Sequence, residues 1–332
     1  MKSKLTLFLL GLLCIFSCSK ETIIPDSDGS DDPVVTPDTW GQTTITIPTV
    51  YAASDVSQAT IDLTLKWYKI ATDAWGNYGN IEIWIVGEST AAAQALDVSW
   101  CTLRAEKDPK WDTTWDCVNG DPYGAGTGWS PFHRYVTEGG AAVSTYIRDY
   151  TDNRFLTITM SAKYPGPKEE DYKPVTLHEV FHTYQHVHIS DKDEDVRTIK
   201  MGGKDKPWWA EGSAEYMAQL LYSRQPGVSS EYLKESMEEK YNAVADYKTL
   251  GKSLKEITYD DGIGYDIGAW FIAYLTHNEG EEKVKVNFYK DLNSLGFEGS
   301  FKNNFEKTSD EYLVLFDAFL DTGKVEALKI IP

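Results

Sequence analysis

The pentapeptide HEVFH places two histidines four residues apart, with a glutamate directly after the first. On an α-helix, His178 and His182 project from one face about one turn apart. This spacing suits two imidazoles that bind one tetrahedral zinc ion. Glu179 stands beside them, where a carboxylate can take a proton from the water that attacks a substrate. The segment therefore predicts a zinc centre with a general base.

A third protein ligand must come from elsewhere in the chain, and a histidine further along the same segment is one candidate. His188 lies ten residues after His178, the position that metzincins use in the pattern HExxHxxGxxH. That pattern needs a glycine where this chain has Gln185, a good helix former that does not encode a sharp break. His186 is no better placed, because a continuing helix rotates it away from His178.

The second candidate is Glu211, in the segment KPWWAEGSAEYMAQLL. Pro207 opens a helix there, and the residues after it can continue the helix for several turns. A carboxylate on that helix can approach the paired histidines and complete a His2Glu site with an open fourth position. From the residues alone, Glu211 and His188 both remain candidates for the third ligand.

Together the two segments resemble the gluzincin metallopeptidases, which include thermolysin, the aminopeptidase N type enzymes and the bacterial collagenases. Their signature is HExxH followed, one helix later, by W-x-x-EG-x-AE-[YF], and WWAEGSAEY is similar to it. The specific similarity covers Val175 to Tyr216. The resemblance implies a zincin-like fold, a bound Zn2+ ion with Glu211 rather than His188 as the third ligand, and hydrolysis of peptide bonds. Peptides or proteins would be the substrates.

The resemblance also implies roles for two residues outside the ligand set. Glu215 matches the acidic position that orients a ligating histidine; a solvated charge on a helix is the alternative. Tyr265, in GIGYDIGAW, matches the tyrosine that donates a hydrogen bond to the oxyanion, although a merely structural tyrosine at a helix end is also consistent. Thermolysin-like enzymes carry asparagine where this chain has Ala210, so the second partner of one histidine stays unassigned.

Composition bounds the remaining possibilities. The 332 residues suffice for one large or two modest domains, and 42% of them are hydrophobic, enough for a core. A formal net charge of −19 argues against nucleic acid or an anionic bilayer surface as the main partner. We expect no nucleic-acid partner.

The chain begins with two lysines, an apolar run and IFSC, the layout of an export signal. It resembles a bacterial lipoprotein signal in which residues 1–17 are removed and Cys18 is acylated; an ordinary secretory peptide is the alternative. Residues 18–39 are acidic and contain several prolines, a composition that predicts a flexible tether. We expect a lipid anchor, the only membrane contact, in the outer membrane of a Gram-negative bacterium, facing the cell surface.

Two further features concern cross-links and a second metal. Export would leave Cys101 and Cys117 in an oxidising compartment, which favours a disulfide between them over two buried thiols. The acidic segment SDKDED, residues 190–195, has oxygen ligands for calcium, but a solvated acidic turn explains it better.

The order of elements predicts an α+β fold. Apolar periodicity indicates helices at Ser57 to Trp75, in TAAAQALDVSW and in AAVSTYIRDY, and strands in NIEIWIVGES and RFLTITMSA. The gluzincin resemblance implies that the latter strand lies along the rim of a substrate cleft, where an extended peptide could add to it; an ordinary internal strand is the alternative. From residue 173 only helices are expected. Residues 40–225 would form an α+β catalytic half, with a mixed sheet, and residues 226–332 a helical half.

These features make a zinc-dependent peptidase the leading hypothesis, with His178, His182 and Glu211 as ligands and Glu179 as the base. A surface protein that binds glycans or proteins through its 11 tryptophans is a second hypothesis. A zinc-binding pseudoenzyme is a third.

Overall fold

A four-stranded sheet forms the first part of the fold, in the order β1–β2–β4–β3. The strands are β1 (Thr49–Ala52), β2 (Ile81–Val86), β3 (Ala141–Tyr146) and β4 (Phe155–Ser161). The computed structural model describes residues 39–108, 132–147, 154–162 and 172–332. β1, β2 and β4 run parallel, and β3 is antiparallel to β4. Every residue of β2 and β4 is buried, as expected for parallel strands covered on both faces.

Two expectations about this sheet were wrong. The segment AAVSTYIRDY was expected to be a helix, but its first residues form β3, with Val143 opposite Ile158. Its β-branched Val143 and Thr145 favour a strand once a neighbour is available to pair with. The strand RFLTITMSA is not at the rim either, because β4 lies between β2 and β3. The edge strands are β1 and β3, and sequence alone could not give this order.

Helices cover the sheet and form the rest of the described chain. Ser57 accepts a hydrogen bond from the backbone N–H of Thr60 and caps α1, which begins one residue later than expected. The second helix runs further than expected, to Lys107. The first three helices are α1 (Gln58–Trp75), α2 (Thr90–Lys107) and α3 (Arg134–Glu138).

From residue 172 onward the described residues form helices and no strand, which agrees with the sequence. They are α4 (Tyr172–Val187), α5 (Glu194–Lys200), α6 (Pro207–Ser223), α7 (Tyr232–Lys240), α8 (Ala243–Leu250), α9 (Gly264–Glu279), α10 (Phe288–Phe305), α11 (Ser309–Leu320) and α12 (Lys324–Ala327). Short helical turns at Leu254–Glu256 and Tyr259–Asp261 precede α9. The fold is thus mixed α+β with a small sheet and mostly helical content.

A close glycine contact fixes how α6 and α9 pack. A Cβ atom on Gly212 would lie 2.6 Å from the Cα of Gly268, and one on Gly268 would lie 2.5 Å from the carbonyl oxygen of Trp208. Neither position can carry a side chain without moving a backbone. Since α6 also packs against α4, these glycines bring α9 close to the histidine helix.

Residues Pro37–Pro332 belong to one compact unit. Within the described parts of the chain, no helix is long and apolar enough to cross a membrane. Cys101 is disulfide-bonded, whereas its expected partner Cys117 lies outside the described residues. The expected signal, Cys18 and nearly all of the tether also lie outside them.

Candidate metal centre

Three candidate ligands meet where α4 packs against α6. His178 and His182 project from α4, and their Nε2 atoms lie 2.9 Å apart. Glu211, on the second turn of α6, places Oε2 3.2 Å from Nε2 of His178 and 2.9 Å from Nε2 of His182. In the described part of the chain, these three residues form the one cluster of histidine, cysteine or acidic side chains with metal-ligand spacing.

The first histidine is oriented by a buried carboxylate. Oε2 of Glu215 accepts a hydrogen bond from Nδ1 of His178 at 3.0 Å. Its other oxygen pairs with Lys240 on α7 at 2.8 Å and accepts a hydrogen bond from Gln219. Burial raises the pKa of Glu215, but Lys240 and His178 outweigh it and hold the pKa well below its ordinary value. Glu215 is therefore an ionised acceptor, which keeps the proton of His178 on Nδ1.

The second histidine is oriented by a residue that the sequence left unassigned. Oε1 of Gln185, one turn further along α4, lies 2.7 Å from Nδ1 of His182. The amide nitrogen of Gln185 donates to the carbonyl oxygen of Ala210 at 3.0 Å and to Oγ of Ser213 at 2.7 Å. Because its nitrogen is engaged by acceptors, its oxygen must face His182, whose proton then sits on Nδ1.

The donor set fits a divalent metal. With both protons on Nδ1, the two Nε2 atoms present lone pairs to each other and to the Glu211 carboxylate, an arrangement that needs a cation between them. Burial lowers the pKa of His178, yet its hydrogen bonds with Glu211 and Glu215 raise that pKa to about 10. Negative charge therefore favours a cation here, a proton or a metal ion. Two imidazoles and one carboxylate are the ligands of catalytic zinc sites.

Glu179 lies beside this cluster on α4, directly after the first histidine. It is buried, lines the same cleft as the three ligands, and its Oε2 has no hydrogen-bond partner among the described residues. Burial raises its pKa above the ordinary value, although His178 and His182 act in the opposite direction. A carboxylate with raised proton affinity, free to reach a small molecule in the cleft, suits a general base.

Two tyrosines border the cluster on its exposed side. The ring of Tyr265 stacks on His178 with centroids 6.1 Å apart, and burial together with the Glu211 charge raises its pKa. Tyr259 donates a hydrogen bond to Oε1 of Glu211 at 2.8 Å. The sequence analysis missed Tyr259, which lies 48 residues after Glu211 on a short helical turn. The only signal was its closeness in sequence to Tyr265.

Two alternatives raised by the sequence have other roles in the structure. Nδ1 of His188 donates to the carbonyl oxygen of Tyr184 at 2.7 Å, and the ring packs on tyrosines away from the three ligands. In the acidic segment, Asp191 pairs with Lys200 at 2.6 Å and Asp193 caps α5 through the N–H of Val196. These contacts give no support to a calcium site.

The cluster opens into a cleft of about 550 Å³. One wall is the start of the edge strand β3, and the other walls come from α4, α6, the segment between α5 and α6, and the two tyrosines. The cleft is lined by Gly140, Ala141, Ala142, Val143, Val175, His178, Glu179, His182, His186, Glu194, Thr198, Met201, Gly203, Lys204, Asp205, Lys206, Ala210, Glu211, Glu215, Tyr259 and Tyr265.

Comparison with known proteins points the same way. Residues 172–292 match the model of the M61 glycyl aminopeptidase family. Over this segment the chain is similar to a metallopeptidase. The match begins with α4 and includes all three candidate ligands, Glu179 and both tyrosines. No curated protein matches the chain significantly. The similarity indicates a peptidase, that is, a hydrolase whose substrates are peptides.

Proposed function

We propose that this protein is a zinc-dependent peptidase of the gluzincin type, with His178, His182 and Glu211 as metal ligands. The observation that carries the proposal is the convergence of two Nε2 lone pairs and a carboxylate oxygen within 3.2 Å, each histidine being held by a separate hydrogen-bond acceptor. Such outer partners fix the imidazole tautomer and support metal binding.

The metal, Glu179 and Tyr265 would have separate roles in hydrolysis of the peptide bond. Zinc held by His178, His182 and Glu211 would supply Lewis-acid chemistry, which polarises a carbonyl group and lowers the pKa of water. Glu179 takes the proton of the attacking water and passes it to the leaving nitrogen. Tyr265, beside His178, donates a hydrogen bond to the oxygen that becomes negative, a stabilisation typically worth a few kcal/mol.

The edge strand offers a way to bind the substrate backbone. Residues 140–143, at the start of β3, line the cleft, and among the described strands β3 pairs with β4 alone. An extended peptide can add to such an edge through main-chain hydrogen bonds. The cleft therefore suits an extended peptide lying beside β3, with its scissile bond near Glu179.

For the location of the protein, we keep the proposal made from the N-terminal sequence. Cys18 would carry lipid, residues 18–39 would form the tether, and the peptidase would face outward from the outer membrane. Mass spectrometry of the membrane fraction would test this, since the mature protein should begin at a lipid-modified Cys18.

A direct test of the peptidase uses the compact unit from residue 37 onward. Zinc per chain is measured first, and cleavage of a peptide library is then compared between wild type, Glu179→Gln and Glu194→Gln. Glu194 is an exposed acid at the cleft and serves as the matched control. We expect the first variant to keep zinc and lose cleavage, and the control to keep both. Equal cleavage by Glu179→Gln and wild type would reject the mechanism; zinc without cleavage in wild type would indicate a pseudoenzyme.

A further inference from the structure

His186 is a cleft residue that the zinc centre does not use. It lies on α4 one turn after His182, and its side chain lines the cleft. The sequence analysis set it aside as a metal ligand, and it is absent from the cluster of three ligands. Its place in the cleft wall raises the question of what its imidazole presents to a bound peptide.

A buried arginine fixes the orientation of this imidazole. Nη1 of Arg197, on α5, donates to the carbonyl oxygens of Ile189 and Asp191 at 2.9 and 3.0 Å. Its Nη2 lies 3.2 Å from Nδ1 of His186. Arg197 is only 4% exposed, so these carbonyl oxygens hold its guanidinium in place behind the histidine.

This contact selects one tautomer of His186. A guanidinium donates hydrogen bonds and accepts none, so Nδ1 of His186 must be the acceptor. Burial and the positive charge of Arg197 both lower the pKa of His186 well below its ordinary value, which keeps the ring neutral. The single remaining proton is on Nε2, at the far side of the ring from Arg197. No described residue accepts a hydrogen bond from that atom.

We propose that His186 binds substrate, its Nε2–H donating a hydrogen bond to a backbone carbonyl oxygen of the peptide at a residue other than the scissile one. The inference rests on the proposed peptidase function. A neutral donor with a fixed direction suits a peptide carbonyl, because it offers one hydrogen bond and demands no counter-charge. His186 would thus set the register of the peptide along the cleft, whereas Glu179 acts on the bond that breaks.

The test uses the zinc-loaded mature protein and a fluorogenic peptide selected from a library by wild-type cleavage. Three variants are compared: His186→Phe, which lacks the donor; His186→Gln, whose amide can accept from Arg197 and donate to the peptide; and His188→Gln, a control outside the cleft. Analogues of the peptide carry a thioamide, a poorer acceptor, at each non-scissile position in turn. Melting temperatures check that the variants fold.

Loss of one net hydrogen bond should raise the KM of His186→Phe about three- to tenfold above that of wild type, with a smaller change in kcat. His186→Gln should retain most of the wild-type kcat/KM, and the control should match wild type. One thioamide should slow wild type but leave His186→Phe unaffected, which would identify the carbonyl that His186 binds.

Two outcomes would overturn the inference. Wild-type kcat/KM in His186→Phe would do so, as would thioamide penalties that are the same in both proteins at every position. Absence of all cleavage by zinc-loaded wild type would instead refute the peptidase function, and the role of His186 with it. The two failures are distinguishable, because the first requires an active wild-type enzyme.

Discussion

Gln185 should control the affinity for zinc, although it lies outside the ligand set. Replacing it with methionine preserves side-chain length but removes the acceptor of the His182 proton and the donor to Ala210 and Ser213. Ser213 still donates to the carbonyl oxygen of Trp209, so the group left without a partner is Nδ1–H of His182. A buried unpaired donor costs about 1–3 kcal/mol.

Loss of an outer hydrogen bond of this kind typically weakens metal binding about 10- to 100-fold. We expect that decrease for Gln185→Met, measured by competition with a chromogenic chelator. Gln185→Glu keeps an acceptor for His182 and loses the donations to α6, so it should lower the melting temperature of the zinc-free protein without weakening zinc binding.

Ser213→Ala serves as the control, because it removes one partner of Gln185 without touching a histidine. Its zinc affinity should equal that of wild type. If Gln185→Met lowers the melting temperature but leaves zinc affinity unchanged, Gln185 is only a packing residue and the reasoning from its hydrogen bonds is refuted.

Tyr259→Phe should weaken zinc binding a few-fold in chelator competition, since it removes one hydrogen bond to Glu211. Tyr265→Phe should keep the zinc affinity and lower kcat by about 10²–10³-fold in peptide cleavage. The reverse pattern would exchange the roles of the two tyrosines. The pKa of His178, about 10 in the folded zinc-free protein against an ordinary 6.5, means that its protonation stabilises the fold fully below pH 6.5 and progressively less up to pH 10. Urea unfolding of zinc-free protein should show that loss, and His178→Gln should reduce this dependence, leaving the contribution of His182, whose pKa is also raised by the Glu211 charge against the effect of burial. Gly212→Ala should destabilise the protein by about 1–3 kcal/mol in denaturant titration, because no Cβ fits against Gly268; an unchanged midpoint would show that α6 and α9 are less closely packed.

The sequence predicted those parts of the site that depend on helical spacing. His178 and His182 share a helix face because they are four residues apart, and Pro207 marked the start of the helix that carries Glu211. Within each helix, local periodicity was enough to place the side chains. The meeting of the two helices followed from the resemblance to gluzincins, not from spacing.

The sequence did not predict the contacts that depend on how the helices pack together. Lys240 reaches Glu215, and Tyr259 reaches Glu211, only because α7 and the turn before α9 pack against α6. Gln185 was judged by its helix propensity, while its hydrogen bonds to His182 and α6 depend on burial. The wrong assignment of β3 has the same origin, because a short alanine-rich segment becomes a strand when β4 is beside it.

The most direct test of the account is the binding of zinc to wild type, Glu211→Ala and Glu194→Ala after removal of metal with a chelator. We predict one zinc ion per chain in wild type and in the Glu194→Ala control, with nitrogen and oxygen ligands by X-ray absorption spectroscopy. Glu211→Ala should lose the ion or bind it far more weakly. Unchanged zinc binding by Glu211→Ala, or no zinc in wild type, would contradict the assignment of His178, His182 and Glu211 as the metal centre.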